Sequence, residues 1–134
     1  MDPRRLGGSQ TQRQEPERQV SAEFADLVCE MLAPLGPVTA RRMFGGHGLY
    51  LDGRMFGLIA DEVLYFKTDD GNRSAYESAG MGPFKPFADK PMIMPYHEVP
   101  AEMLDESEAL CAWARPAIEA AARAAAAKLG RNRT

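Results

Sequence analysis

The sequence predicts an α+β domain: an antiparallel meander sheet covered by an N-terminal helix and a C-terminal helical segment. Three observations lead there. Residues 20–36, "VSAEFADLVCEMLAPLG", carry Phe24, Leu27, Val28, Met31, Leu32 and Leu35 at helical spacing, with Glu23, Asp26 and Glu30 on the opposite side. Residues 38–67 alternate apolar strand-like runs with two short turns, "DG" at Asp52–Gly53 and "DE" at Asp61–Glu62. Residues 105–130 combine an apolar stripe with a run of alanines, the mark of a second helix.

The bounds agree with one domain. The chain has 134 residues, enough for a single hydrophobic core. Apolar residues make up 45% and charged residues 26%, the balance of a globular protein that needs no membrane. No run is long enough to cross a bilayer and the N-terminus has no apolar signal core, so the expected location is cytoplasmic. Cys29 and Cys111 lie far apart with no second ligand beside them, and read as idle thiols.

Residues 1–19 hold one apolar side chain beyond Met1, namely Leu6, and cannot offset their ordering entropy by burial. They read as a disordered tail. The four arginines of the tail, Arg4 and Arg5 among them, are diluted by Asp2, Glu15 and Glu17, which argues against a nucleic-acid arm. The domain then spans residues 20–130, with a disordered end at 131–134. Ser21 suits a helix cap, and "PLGP" stops the first helix.

Four strands follow, at residues 38–44, 48–51, 54–60 and 63–67. Pairing across the two turns sets Tyr50 opposite Met55, Leu49 opposite Phe56, Ile59 opposite Leu64 and Leu58 opposite Tyr65. One face then holds Tyr50, Met55, Ile59, Leu64 and Phe66, and the other Leu49, Leu51, Phe56, Leu58, Val63 and Tyr65. Both faces are apolar, so either helices cover both or one meets a second subunit. "GGHG" at residues 45–48 links two strands. It leads into no helix and has no G-x-G-x-x-G or Lys-Ser/Thr spacing, so it reads as backbone geometry and not as a phosphate loop. Gly57 in mid-strand marks a bulge or a close backbone approach.

A short helix capped by Asp69 or Asp70 should end at Gly80. Five prolines in residues 81–100 leave room for an edge strand over 92–99 only, and the rest reads as a cover on the sheet. Asp105 with Glu108 resembles a capping box for the last helix, and Pro116 should kink or split it.

Catalytic patterns are missing from the sequence. His47 and His97 are fifty residues apart, with no H-x-x-x-H, C-x-x-C or H-E-x-x-H pairing, so neither a metal nor a cofactor is expected. No serine sits in a G-x-S-x-G elbow. The acids fall in turns and helix starts. Beside Gly46, His47 reads as a loop histidine bonded to backbone. After Gln19 the chain keeps twelve of its 16 Lys+Arg but sixteen of its 19 Asp+Glu, which disfavours tight binding to phosphates.

"ARRMFGGHGLYLDGRMFGLIADEVLYFKTDD", "PFADKPMIMPYHEVP" and "ALCAWARPAI" resemble, in that order, the N-terminal domain of the TfoX/Sxy competence regulators. The resemblance runs from about residue 20 to about residue 126. It departs at His47, where the family often has Tyr, and at Pro116. The family includes two-domain regulators that promote DNA-uptake and competence genes together with a cyclic-AMP-receptor-type activator, and single-domain members; this chain resembles the single-domain form. The resemblance implies a non-enzymatic regulatory domain whose partners are proteins, transcription machinery among them, and it carries over no catalytic residue. The expected interaction surface includes Arg41, Arg42, His47, Tyr65 and His97, and the two apolar sheet faces predict a homodimer. Two other readings stand beside this one: direct DNA binding through Arg4, Arg5, Arg41 and Arg42, and a small-ligand site or enzyme around His47, Tyr65 and His97.

Overall fold

The computed structural model describes residues 14–43, 45–85 and 94–133. Helix α1 (Gln14–Met31) is followed by a 3-10 turn (Ala33–Leu35) and four strands, β1 (Thr39–Met43), β2 (Gly46–Leu51), β3 (Arg54–Ala60) and β4 (Val63–Lys67). Helix α2 (Arg73–Ser78), β5 (Pro83–Phe84), β6 (Met94–Glu98), a second 3-10 turn (Ala101–Asp105) and helix α3 (Ser107–Arg133) complete the order. The six strands form one sheet in the order β1-β2-β3-β4-β6-β5, antiparallel at every pairing. The α+β class and the meander covered by terminal helices are as the sequence predicts.

Both β-turns take the mirror-image form that suits the strand twist. Asp52 and Gly53 have φ of 55° and 77°, and Asp61 and Glu62 have φ of 52° and 64°. The second turn therefore adopts the same conformation without a glycine. The pairs Tyr50–Met55, Ile59–Leu64 and Leu58–Tyr65 form as read from the sequence. Leu49 instead faces Gly57, because β3 carries one extra residue, Phe56, between the pairs Leu49–Gly57 and Tyr50–Met55.

That bulge corrects the assignment of faces. Past it, β3 changes parity, so Ile59, Leu64 and Phe66 join Leu49, Leu51 and Phe56 in a single core with Ala25, Val28, Leu32, Leu110 and the alanines of α3. Leu58 and Tyr65 pass to the other face with Tyr50 and Met55. The Phe56 and Phe66 rings meet at 5.9 Å between centroids. Each such side chain contributes roughly 1.5–3 kcal/mol by leaving water.

The described helices all lie on the core face. α1 packs on β1 and β2, α3 on β3 and β4, and α2 on β6. Ala114, Ala117, Ala120 and Ala121 let α3 approach closely, with Leu110 as the largest buried side chain of that helix.

Other boundaries differ from the sequence reading, each for a local reason. α1 starts at Gln14, not near Ser21, since Pro16 in a first turn lacks only an N–H that the turn leaves unused. Of the disordered tail expected over residues 1–19, residues 14–19 belong to α1, and residues 1–13 lie outside the described residues. β2 starts at Gly46, so His47 is a strand residue and not a loop residue. α2 is preceded by Asn72, while Asp69 accepts the Gly71 N–H at 2.9 Å and orders the turn before it. β6 is an interior strand, because β5 pairs on its far side and takes the edge. The N-cap of α3 is Glu106, whose carbonyl accepts the Leu110 N–H at 3.1 Å, and Asp105 ends the preceding 3-10 turn. α3 runs unbroken through Pro116 to Arg133. The Ala112 carbonyl that Pro116 cannot serve belongs to an exposed residue, where water can reach it.

Close packing of β2 on β3 makes Gly46 intolerant of any side chain, since a methyl there would overlap the Ile59 carbonyl. Gly46→Ala should therefore lower stability in urea denaturation by about 1–3 kcal/mol or more. Gly82→Ala, with nothing within 4 Å of the added carbon, should change it by less than about 0.5 kcal/mol. Equal effects at the two positions would contradict the strand packing.

Candidate functional site

The sheet divides the five residues expected to share a surface. Arg41 and Tyr65 stand on the helix-free face; Arg42, His47 and His97 stand on the helix face. The pairings decide this: Arg41 is opposite Gly48 and Leu58 is opposite Tyr65, whereas Arg42 is opposite His47 and His97 is opposite Phe66. His47 on β2 and His97 on β6 are three strand spacings apart, about 14 Å. The grouping of His47, Tyr65 and His97 in one groove is thereby corrected.

His47 is 8% exposed, and its Nδ1 has no hydrogen-bond partner. Burial lowers its pKa below the usual 6.5, Arg42 adds to the effect, and Asp26 on α1 opposes it. His97 is 7% exposed and hydrogen-bonded through Nδ1 to Thr68 Oγ1 at 2.9 Å. Its pKa is likewise lowered by burial and then by Arg73, against Glu77.

Around His97 the fold gathers polar residues that the sequence reading missed. Thr68 and Asn72 are buried. The Asn72 side chain bridges its own loop, accepting the Asp69 N–H at 2.8 Å and donating to the Lys67 carbonyl at 3.0 Å. Arg123 of α3 reaches the Asp69 carboxylate with two hydrogen bonds of 2.8 and 2.9 Å, which hold that carboxyl below its usual range. Tyr76 is 1% exposed, edge-on to Trp113 at 4.8 Å and 5.6 Å from the His97 ring. Its hydroxyl has no partner, and burial pushes its pKa far up. Beside it, Asn72, Ala75, Ala112, Trp113 and Pro116 border an open depression of about 320 Å³ whose walls are apolar. Asn-Arg after a "TDDG" turn was the available signal, but only the contact from α3, 54 residues away, gives it meaning.

His97 is bonded to the Thr68 hydroxyl, both of them buried, His47 Nδ1 has no partner, and among the described residues no three potential metal ligands cluster. Cys111 is buried with its thiol against the Met31 carbonyl, and the Cys29 thiol is raised by burial and by Asp26.

The helix-free face is of a different kind. Tyr50, Met55, Val63, Tyr65 and Phe84 are half-buried there, outside the core cluster. The Tyr65 and Phe84 rings pack at 4.8 Å. The Arg41 guanidinium lies 4.8 Å over the Tyr50 ring and the Lys67 ammonium 5.1 Å over the Tyr96 ring. Burial raises the Tyr65 pKa, helped by Glu98 and Asp61, two carboxylates close to this face.

Two outcomes follow. Both imidazoles should titrate below 6.5 by NMR. The unfolded chain then takes up those protons first, so stability should be full above pH 6.5 and fall as pH drops below it; imidazoles titrating at or above 6.5 would contradict their burial. Tyr76→Phe removes a buried hydroxyl that has no partner, so it should leave stability unchanged or raise it by up to about 1–3 kcal/mol in urea denaturation. A loss of that size would mean that the hydroxyl is bonded.

Against known proteins, the chain is 31% identical over 61 residues to an uncharacterized 12.7 kDa protein in the trpE 5′ region of Spirochaeta aurantia. The match covers 46% of this chain and 53% of that protein, so the chain spans about half the length of this relative. The sequence profile of the TfoX N-terminal domain matches residues 30–121, from the end of α1 through the whole sheet to the middle of α3. The chain therefore belongs to the TfoX N-terminal domain family.

Proposed function

We propose that this chain is a non-enzymatic regulatory domain that acts by protein contact, and that the helix-free sheet face makes the contact. One observation carries the reading. That face is paved with Tyr50, Met55, Tyr65 and Phe84, with Arg41 at its rim, and no described helix packs on it. Aromatic residues, Met and Arg are the side chains that protein interfaces favour over ordinary surface. Membership of the TfoX N-terminal domain family supports a regulatory role linked to competence, with a partner in the cytoplasmic transcription machinery.

An enzymatic role has less support, since the two histidines are buried on separate strands, His47 Nδ1 has no partner, and the Thr68 hydroxyl bonded to His97 is itself buried. Direct DNA binding has less support too. Arg41 and Arg42 point to opposite faces, so they cannot grip one phosphate backbone together, and Glu98 and Asp61 oppose an anion near Tyr65.

The test is affinity capture from native cells with wild-type chain and with Tyr65→Asp, followed by mass spectrometry of bound protein and nucleic acid. Wild type should retain a defined set of proteins that the variant loses by roughly tenfold or more. Equal retention by both chains would reject the face as the contact site, and salt-sensitive enrichment of nucleic acid would reject the protein-contact role.

A further inference from the structure

We propose that the outer edge of β1 is a second docking site, and that its occupant is an extended acidic segment of a partner protein, which adds a strand to the sheet. The site lies at the sheet edge, apart from the aromatic patch of the helix-free face. β1 stands at one end of the strand order β1-β2-β3-β4-β6-β5 and pairs with β2 alone. The opposite edge is β5 (Pro83–Phe84), too short and too proline-bound to offer much pairing. Hydrogen bonding alternates along antiparallel strands, so one known bond fixes the rest. The Val99 N–H donates to the Leu64 carbonyl at 2.9 Å, across from β6 to β4. Leu64 thus turns its main-chain groups to the β6 side, and Tyr65 turns its own to β3. Carried through the pairs Leu58–Tyr65, His47–Ile59 and Arg41–Gly48, the alternation turns Thr39, Arg41 and Met43 to β2. The main-chain groups of Ala40 and Arg42 then point outward, and no described main-chain hydrogen bond meets them there.

Charge complementarity selects the occupant. Arg41 and Arg42 are both exposed, Arg41 on the helix-free face and Arg42 on the helix face. Side chains of an added strand alternate between faces in the same way. Two consecutive acids of the partner therefore fall opposite the two arginines, one on each side of the sheet. The Arg41 guanidinium rests on the Tyr50 ring, which holds the charge in place and leaves its N–H edge free for a carboxylate. The described ion pairs, Arg73–Asp70 and Arg123–Asp69, include neither arginine.

The same two charges speak against a second copy of the chain. The antiparallel pairing that matches β1 with itself along its whole length sets Arg41 on Arg41, and like charges directly opposite repel. A nucleic-acid backbone fits poorly as well. Its phosphates only accept hydrogen bonds, so the outward carbonyls of Ala40 and Arg42 would find no donor, whereas a peptide main chain supplies donors and acceptors in alternation.

The test is an NMR titration of the isotope-labelled full chain with an end-blocked peptide, Thr-Val-Glu-Glu-Val-Thr. The amide signals of β1 should shift, and the Ala40 and Arg42 N–H groups should exchange with solvent more slowly by about tenfold or more. Arg41→Glu and Arg42→Glu should each weaken binding by about fivefold or more. A peptide with Lys-Lys in place of Glu-Glu should bind the double variant, which also shows that the variant folds. Tyr65→Asp, on β4, should leave peptide binding as it is, so failure at this edge is read separately from failure of the helix-free face. Unmoved β1 signals at millimolar peptide overturn the inference and leave the arginines as guards of a bare edge. Binding that leaves Ala40 and Arg42 unprotected overturns it too, since the acids are then held without strand addition. Tighter binding of a single-stranded oligonucleotide at β1 would replace the acidic protein with nucleic acid.

Discussion

One extra residue in β3 organises the molecule. Without the bulge at Phe56, β2, β3 and β4 would keep a strict two-residue alternation, and large apolar side chains would be divided between the two faces. With it, Phe56 and Ile59 both turn to the helices, and Leu64 and Phe66 on β4 follow the register of Ile59. Gly57 makes this workable. Its missing side chain leaves room for Leu49 and Phe66 where β2, β3 and β4 come together, and a methyl there would press on the Tyr65 carbonyl at 3.0 Å. The core is therefore one-sided, and α1 and α3 can both dock on the same face.

The one-sided core decides what the other face is. Leu58 and Tyr65 are turned away from the helices, to the side of Tyr50 and Met55, by the same parity change that draws Ile59 and Phe66 towards the helices. The displaced set is aromatic and thioether-rich, and cations lie over two of the rings near it. Such a surface gains by meeting another sheet or a folded partner, since it offers large contact area at small entropic cost. The helix face is used up by the core and by the buried polar group around Thr68, His97 and Asn72. There, hydrogen bonds from Asn72 and the fork of Arg123 on Asp69 order the turn between β4 and α2. The exposed ion pair adds little stability. Its effect is geometric, tying the middle of α3 to the end of the meander.

Membership of the TfoX N-terminal domain family fits this division of labour, because the matched stretch ends within α3 and includes every strand. The shared unit is the sheet with its one-sided core. The regulatory reading and the docking face both grow from that unit, and neither asks for catalysis from His47 or His97.

Local chemistry was enough to read the order of α1, β1 to β4, α2, β6 and α3, the two tight turns and the amphipathic helices, but not β5, a two-residue strand that begins at a proline. Asp52–Gly53 and the spacing of Phe24, Val28 and Leu32 act over a few residues and leave their mark in sequence. Gly57 was legible as a bulge signal, but not its consequence, because a parity change becomes visible only when the register of β2 against β3 is known. The candidate surface was legible only in part. Arg41 and Tyr65 do share a face, while Arg42, His47 and His97 lie on the other, a difference of one residue in strand phase. The interior position of β6 and the grip of Arg123 on Asp69 were not legible at all. They are contacts between segments far apart in the chain, and only the folded backbone brings those segments within hydrogen-bond reach.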